Sequence, residues 1–136
     1  MADAPETVRI ALSTSFAPRP IGPFSQGVRC PPGTLVFVSG QVGADPATGQ
    51  LAGDVVAQAR RALDNAGAVL AAAGLGFADV VKATIYVADL GDFGRVNEVY
   101  GGYFAAPAPA RTTIQAAALP LGARVEIDLI AVARAM

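Results

Sequence analysis

The sequence predicts an α+β fold, a mixed β-sheet with two helices packed on one face. Three observations carry this. A stretch over residues 54–73 repeats its apolar residues at the spacing of one helical face. Runs rich in β-branched residues stand before and after it. Read in chain order, the segments give βββ-α-β-α-ββ, the interspersed pattern of a sheet with helices on one side. At 136 residues and 53% apolar composition, the chain is expected to be a single domain, 1–136, with a flexible N-terminus over 1–7. Against 15% charged residues, that apolar share predicts that part of the surface is covered by other subunits.

Residues 8–14 read as a first strand, followed by a loop over 15–24 that three prolines stiffen. Residues 25–30 and 34–39 are expected to form a hairpin about Pro31-Pro32-Gly33. A loop continues to Gly53. Asp54 is the expected N-cap of a helix to about Ala73, with Gly74 as its C-cap. Val55, Ala59, Ala62, Leu63, Ala66, Val69, Leu70 and Ala73 form its apolar face, and Gln58, Arg60, Arg61, Asp64 and Asn65 the other. Residues 80–88 read as a central strand. Asp92 is placed as cap of a second helix, Phe93 to about Phe104, with Phe93, Val96, Val99, Tyr100, Tyr103 and Phe104 inward. An Ala/Pro linker leads to two strands, 111–119 and 123–133, joined by a turn at Leu119-Pro120-Leu121-Gly122.

Net charge is −1 with scattered basic residues, which gives no electrostatic footprint for nucleic acid. The lone Cys30 rules out an internal disulfide and fits a reducing compartment. The first six residues lack an apolar stretch, and the apolar window 66–78 is too short and Gly-rich to span a bilayer. A cytoplasmic location without membrane attachment is expected. With no histidine, Ser-His-Asp and Cys-His catalysis and histidine metal sites are excluded.

Arg111 and Glu126 stand out because they are charged residues in apolar, strand-like runs. A guanidinium that grips a carboxylate and a carboxylate that handles a water would suffice for a small hydrolytic site without metal or cofactor. Each also has a plain structural reading: Arg111 as a strand-edge arginine or salt-bridge partner, Glu126 as part of a solvent-facing polar side. In a plain hairpin about Pro120-Leu121, Glu126 faces about Gln115, and Arg111 is then roughly 13 Å further along. Asn97 sits in the second helix beside Phe93 and Tyr100. Phe24 ends a rigid loop, Gly22-Pro23-Phe24-Ser25-Gln26, and Gly40 in Ser39-Gly40-Gln41 would let a ligand approach backbone N–H groups.

Taken together, several motifs resemble one family: Gly22-Pro23-Phe24-Ser25-Gln26-Gly27-Val28, Ser39-Gly40-Gln41, Leu63-Asp64-Asn65, Val80-Val81-Lys82-Ala83-Thr84, Val96-Asn97 with Tyr100, Pro109-Ala110-Arg111, and Leu119-Pro120 with Val125-Glu126-Ile127. Their order and spacing from about Ala17 to Ala133 are similar to the RidA family of reactive enamine/imine deaminases, also named YjgF/UK114. The resemblance implies a chorismate-mutase-like fold and a homotrimer with sites between subunits. It also implies hydrolysis of 2-iminopropionate, formed from 2-aminoacrylate, and related 2-imino acids to 2-keto acids and ammonia.

By position, Arg111 matches the family's carboxylate-binding arginine and Glu126 the glutamate that holds the water. Asn97, Phe93 and Gly40 match pocket-lining positions. Two residues depart from the pattern. Phe24 stands where the family usually has Tyr, and Thr113 where it commonly has Cys. The expected catalytic pair is therefore Arg111 and Glu126, with Phe24, Gly40, Phe93, Asn97 and Thr113 binding an imino acid and no cofactor required. The alternatives are a non-catalytic module that binds small carboxylates and, further off, an endoribonuclease.

Overall fold

A computed structural model describes residues 6–135. β1 (Ile10–Leu12) and β2 (Gly27–Arg29) form an antiparallel pair apart from the main sheet. The main sheet has four strands: β3 (Gly33–Val42), β4 (Val80–Val87), β5 (Ala110–Gln115) and β6 (Val125–Arg134). Their spatial order is β3-β6-β4-β5, with β4 and β5 parallel and the other pairs antiparallel. Helices α1 (Val55–Ala72) and α2 (Phe93–Gly101) cover one face of this sheet. The expected α+β architecture is therefore present.

Two expected pairings are not. Residues 25–30 do not form a hairpin with 34–39; β2 turns back to β1, while β3 pairs with β6. Pro31 and Pro32 between them supply no N–H donor and hold their φ angles, which disfavours a tight ladder-closing turn. The last two strands are not a hairpin either. β6 inserts between β3 and β4 and leaves β5 at the edge. Composition explains the exchange: β6 is covered along nearly its whole length, whereas β5 carries Arg, Thr, Thr and Gln and tolerates an edge.

The core lies between the sheet and α1 and α2. Ala59, Ala62, Leu63, Ala66 and Leu70 of α1 meet Ile85 and Val87 of β4 and Ile127 and Leu129 of β6. Small residues on that helix face allow close approach, and each fully buried Leu contributes roughly 2 kcal/mol of transfer free energy. Asp54 caps α1 by accepting from Ala57 N at 2.8 Å. At the other end Gly74 N donates to Ala71 O and Leu75 N to Leu70 O, both at 2.9 Å. Gly74 has φ +75°, the left-handed conformation that this helix stop requires.

Three polar residues depart from the sequence reading. Gln58 and Asn65 of α1 are turned inward. Gln58 Nε2 donates to Ala52 O, its Oε1 accepts from Arg124 N, and Asn65 Nδ2 donates to Val42 O and Ala44 O. Asp92 precedes α2 but makes no side-chain cap; its buried carboxylate pairs with Arg95 and, at 2.7 Å, with Arg124. α2 ends at Gly101, short of Phe104, where consecutive glycines weaken the helix. Of the segment 1–7 expected to be flexible, 1–5 lie outside the described residues, and Thr7 Oγ1 donates to Ala78 O at 2.8 Å. Among the described residues no helix is long and apolar enough to cross a membrane.

Among the described residues no helix covers the other face of the sheet. Leu35 and Phe37 of β3 and Ile114 of β5 project there, 55%, 67% and 45% exposed.

Arg9, which the sequence did not mark, ties the N-terminal segment to the domain. It is buried and donates from Nε to Pro107 O (2.5 Å), from Nη1 to Phe77 O and Val80 O (both 2.8 Å), and from Nη2 to Ala105 O (2.9 Å). Arg9→Met removes all these donors from one buried and three part-buried carbonyl contacts. We expect a loss of about 3 kcal/mol, read as a lower urea midpoint with an unchanged slope. A midpoint equal to the wild type's would show that the guanidinium contributes no net stability.

Candidate functional site

Arg111 lies beside Ala83 of β4, so its side chain leaves the sheet on the helix-covered side. It is 8% exposed. Three aromatic rings surround it: its Cζ is 4.9 Å from the centre of Phe24, 5.1 Å from Tyr100 and 5.6 Å from Phe93. Phe93 and Tyr100 are two helical turns apart on α2 and therefore share a face. Asn97 belongs to the same stripe. Gly22 passes so close that a Cβ there would stand 3.2 Å from both Arg111 Nη2 and Asn97 Nδ2.

Backbone anchors place Phe24. Ser25 N donates to Pro109 O (3.1 Å) and Ser25 Oγ to Ala108 O (2.5 Å), pinning the loop to the start of β5. Gln26 accepts from Thr14 N (2.7 Å) and donates to Ala17 O (3.0 Å) and Pro18 O (2.8 Å), which holds the preceding loop. Within the Phe24-Ser25-Gln26 motif, Ser25 and Gln26 are frame, and Phe24 is the residue they position.

The result is a cleft of about 130 Å³ lined by Ile21, Phe24, Phe93, Arg111 and Thr113. Its polar atoms are unmatched. Arg111 Nε and Nη1 and Thr113 Oγ1 on its wall, and Tyr100 Oη outside that wall, are buried without a hydrogen-bond partner among the described residues. Native interiors pair nearly all such groups, and a buried charge without a partner is destabilising. Three ring faces partly offset this through cation–π attraction. Burial pulls the Arg111 guanidinium below the usual arginine value, with Tyr100 opposing that, and burial pushes the Tyr100 phenol up. The arginine nevertheless stays protonated. Such a site suits a planar anion with two acceptor oxygens and a small apolar body.

Glu126 stands opposite Val42 of β3 and Tyr86 of β4. Its neighbours Val125 and Ile127 are buried under the helices, so Glu126 projects from the other face of the sheet. Gly40, in the bulged stretch of β3 between Val38 and Gln41, lies against its carboxylate. A Cβ on Gly40 would be 2.6 Å from Glu126 Oε2, so only glycine leaves the carboxylate where it is.

The residues singled out in the sequence thus fall into two clusters. Phe24, Phe93, Asn97, Arg111 and Thr113 converge on the helix side at the β5 edge. Gly40 and Glu126 meet on the open face. β4 lies between β5 and β6, so Glu126 faces Tyr86 and not Gln115. Arg111 and Glu126 are two strands and three residues apart, roughly 14 Å between Cα atoms, and on opposite faces. A wider groove of about 440 Å³ includes Gly40, Asp45 and Asn65 but is lined by neither Arg111 nor Glu126. Sequence reading missed Ile21, a loop residue with no pattern to mark it. It placed Tyr100 inward by helical spacing without a link to Arg111.

The family profile described as Endoribonuclease L-PSP matches residues 14–133. The chain is 56% identical over 125 residues to Protein DfrA of Myxococcus xanthus, spanning 91% of this chain and 95% of that one. It is 52% identical over 126 residues to the 2-iminobutanoate/2-iminopropanoate deaminase of Mus musculus, spanning 92% of each. The crystal structure of E. coli TdcF with bound serine superposes with a TM-score of 0.71 at 42% identity, covering 91% of this chain and 98% of that one.

The unmatched Arg111 predicts carboxylate binding. Pyruvate should raise the melting temperature, with a stabilisation of about 2.7 kcal/mol at a hundred times its dissociation constant. Arg111→Met should abolish the shift. A shift that survives in that variant would place the anion elsewhere.

Proposed function

The chain belongs to the endoribonuclease L-PSP family, the RidA family that its motifs resemble, and on that premise we propose that it is a hydrolytic deaminase of 2-imino acids. One observation carries the reading: a buried guanidinium with two unmatched nitrogens in a small, mostly apolar cleft. Relatives about half identical over nearly the whole chain are named for deamination of 2-iminobutanoate and 2-iminopropanoate, which supports imine hydrolysis as the chemistry. The serine bound to the related TdcF supports a small carboxylate-bearing ligand. The family's descriptive name points to RNA cleavage. A net charge of −1 with dispersed basic residues offers no track for a phosphate backbone.

In the proposed mechanism the substrate carboxylate pairs with Arg111, which fixes C2 of the imine. A water held by Glu126 attacks C2. The carbon–oxygen bond forms as the C=N π pair moves to nitrogen, and Glu126 passes the water's proton toward that nitrogen. Collapse of the carbinolamine breaks the carbon–nitrogen bond, giving 2-keto acid and ammonia. Imine plus water balances keto acid plus ammonia, with no cofactor in the equation. Phe24 and Phe93 flank the substrate, Asn97 supports the arginine side, Thr113 lines the cleft, and Gly40 leaves room for the carboxylate of Glu126.

Glu126 and Arg111 lie on opposite faces of one sheet, so one chain alone does not join them. We therefore propose a homotrimer in which the Arg111 cluster of one subunit meets Gly40 and Glu126 of the next. The exposed Leu35, Phe37 and Ile114 on the open face supply the apolar surface such an assembly buries.

The test generates imino acids with an amino-acid oxidase and follows their loss against semicarbazide trapping. Wild type should accelerate the loss. Arg111→Lys should lower kcat/KM by about a hundredfold or more, because a point charge cannot replace the planar fork. Normal turnover by Arg111→Lys would remove the clamp from the mechanism. Binding of pyruvate without imine hydrolysis would leave a carboxylate-binding module in its place. A second experiment mixes Arg111→Ala and Glu126→Gln chains. Particles three times the 13.7 kDa chain should regain part of the activity, since some clefts join an intact Arg111 to an intact Glu126. No recovery after proven subunit exchange would rule out the shared site.

A further inference from the structure

We infer that the hydroxyl of Thr113 is the hydrogen-bond partner of the reacting nitrogen, and that the substrate's side chain points the other way, onto Phe24, Phe93 and Ile21. The inference rests on the deaminase reading and assigns a role within that site. Thr113 stands beside Ile85 and two residues after Arg111, so both side chains leave β5 on the same face. Its Oγ1 is buried, has no partner among the described residues and belongs to the wall of the cleft. A buried hydroxyl without a partner is destabilising, so its retention points to a partner supplied by the ligand.

The partner follows by elimination. Among the described residues of one chain, Arg111 carries the only formal charge on the cleft wall and takes the carboxylate, which a neighbour's Glu126 would repel. C2, one bond away, then bears two substituents to place. One is the imine nitrogen, which needs a hydrogen bond once desolvated; the other is an alkyl group, which does not. Of the remaining lining residues, Ile21, Phe24 and Phe93 are apolar, and Thr113 alone has a hydrogen-bonding side chain.

The hydroxyl can donate to the nitrogen lone pair of the imine and keep that bond as the nitrogen becomes an amine. Its contribution grows as electrons move from the C=N bond onto nitrogen during attack by water, so it favours the transition state over the bound imine. The proton that nitrogen gains still comes from the attacking water through Glu126; Thr113 keeps its own.

The experiment compares wild type with Thr113→Val, which keeps the shape and loses the hydroxyl, and Thr113→Ser, which keeps the hydroxyl. The imine-loss assay gives kcat and KM, and inhibition by propionate, which has a carboxylate but no heteroatom on C2, reads the carboxylate contact separately. For Thr113→Val we expect kcat to fall about tenfold, with propionate inhibition unchanged, and Thr113→Ser to recover most of the rate. The melting temperature of Thr113→Val should equal or exceed the wild type's, because an unmatched buried hydroxyl has gone. Wild-type kcat in Thr113→Val overturns the assignment, as does weakened propionate inhibition in that variant, which would move the hydroxyl to the carboxylate. Absence of turnover by wild type itself would instead defeat the deaminase reading, and the nitrogen contact with it.

Discussion

The alternation of side chains across a β-sheet is the constraint on which the rest of this molecule depends. β6 takes the interior place between β3 and β4, and β5 pairs in parallel with β4 at the edge. Once those registers are set, Arg111 is committed to the helix side with Ala83, and Glu126 to the open side with Tyr86. Strand pleating allows no adjustment that would turn one of them over without moving the whole core set of its strand. The two groups best suited to hydrolysis are thus kept apart within the chain. The same geometry places Glu126 on a face with exposed Leu35 and Phe37, the apolar surface on which the proposed neighbouring subunit would dock.

Two buried arginines show how the same side chain serves opposite ends. Arg9 meets four carbonyl oxygens and joins the N-terminal segment to the loops around Phe77 and Pro107. Every nitrogen of its fork has a partner, and it is a structural group. Arg111 is equally withdrawn from water but faces ring surfaces, and two of its nitrogens are unmatched among the described residues. Burial alone does not separate the two; hydrogen-bond satisfaction does. The unmet demand at Arg111 lowers the stability of the free protein, and in the proposed reading a bound anion would meet it.

Much of the supporting structure exists to keep that unmet group in place. The Ser25 and Gln26 hydrogen bonds fix the loop so that Phe24 covers Arg111 from one side. α2 brings Phe93 and Tyr100 from another, and its approach is held by the buried Asp92 between Arg95 and Arg124. Three elements distant in sequence converge on one guanidinium, so small displacements in any of them would reach the site.

Local rules made much of this chain legible in its sequence. Period and capping marked α1 from Asp54 to Gly74, β-branched runs marked β4, β5 and β6, and charged residues in apolar surroundings marked Arg111 and Glu126. These features depend on neighbours along the chain, where side-chain spacing and turn chemistry act directly. Tertiary structure alone decided which strands pair, because several pairings satisfy the same apolar pattern, and the strongly buried helix-side face of β6 selects the interior place for it. It also decided that Gln58 and Asp92 turn inward, that Arg9 is a structural tie and Arg111 is not, and that the candidate site is divided between two faces. Each of those outcomes depends on partners dozens of residues away, and a strand's sequence gives its alternation but not which neighbour it will face.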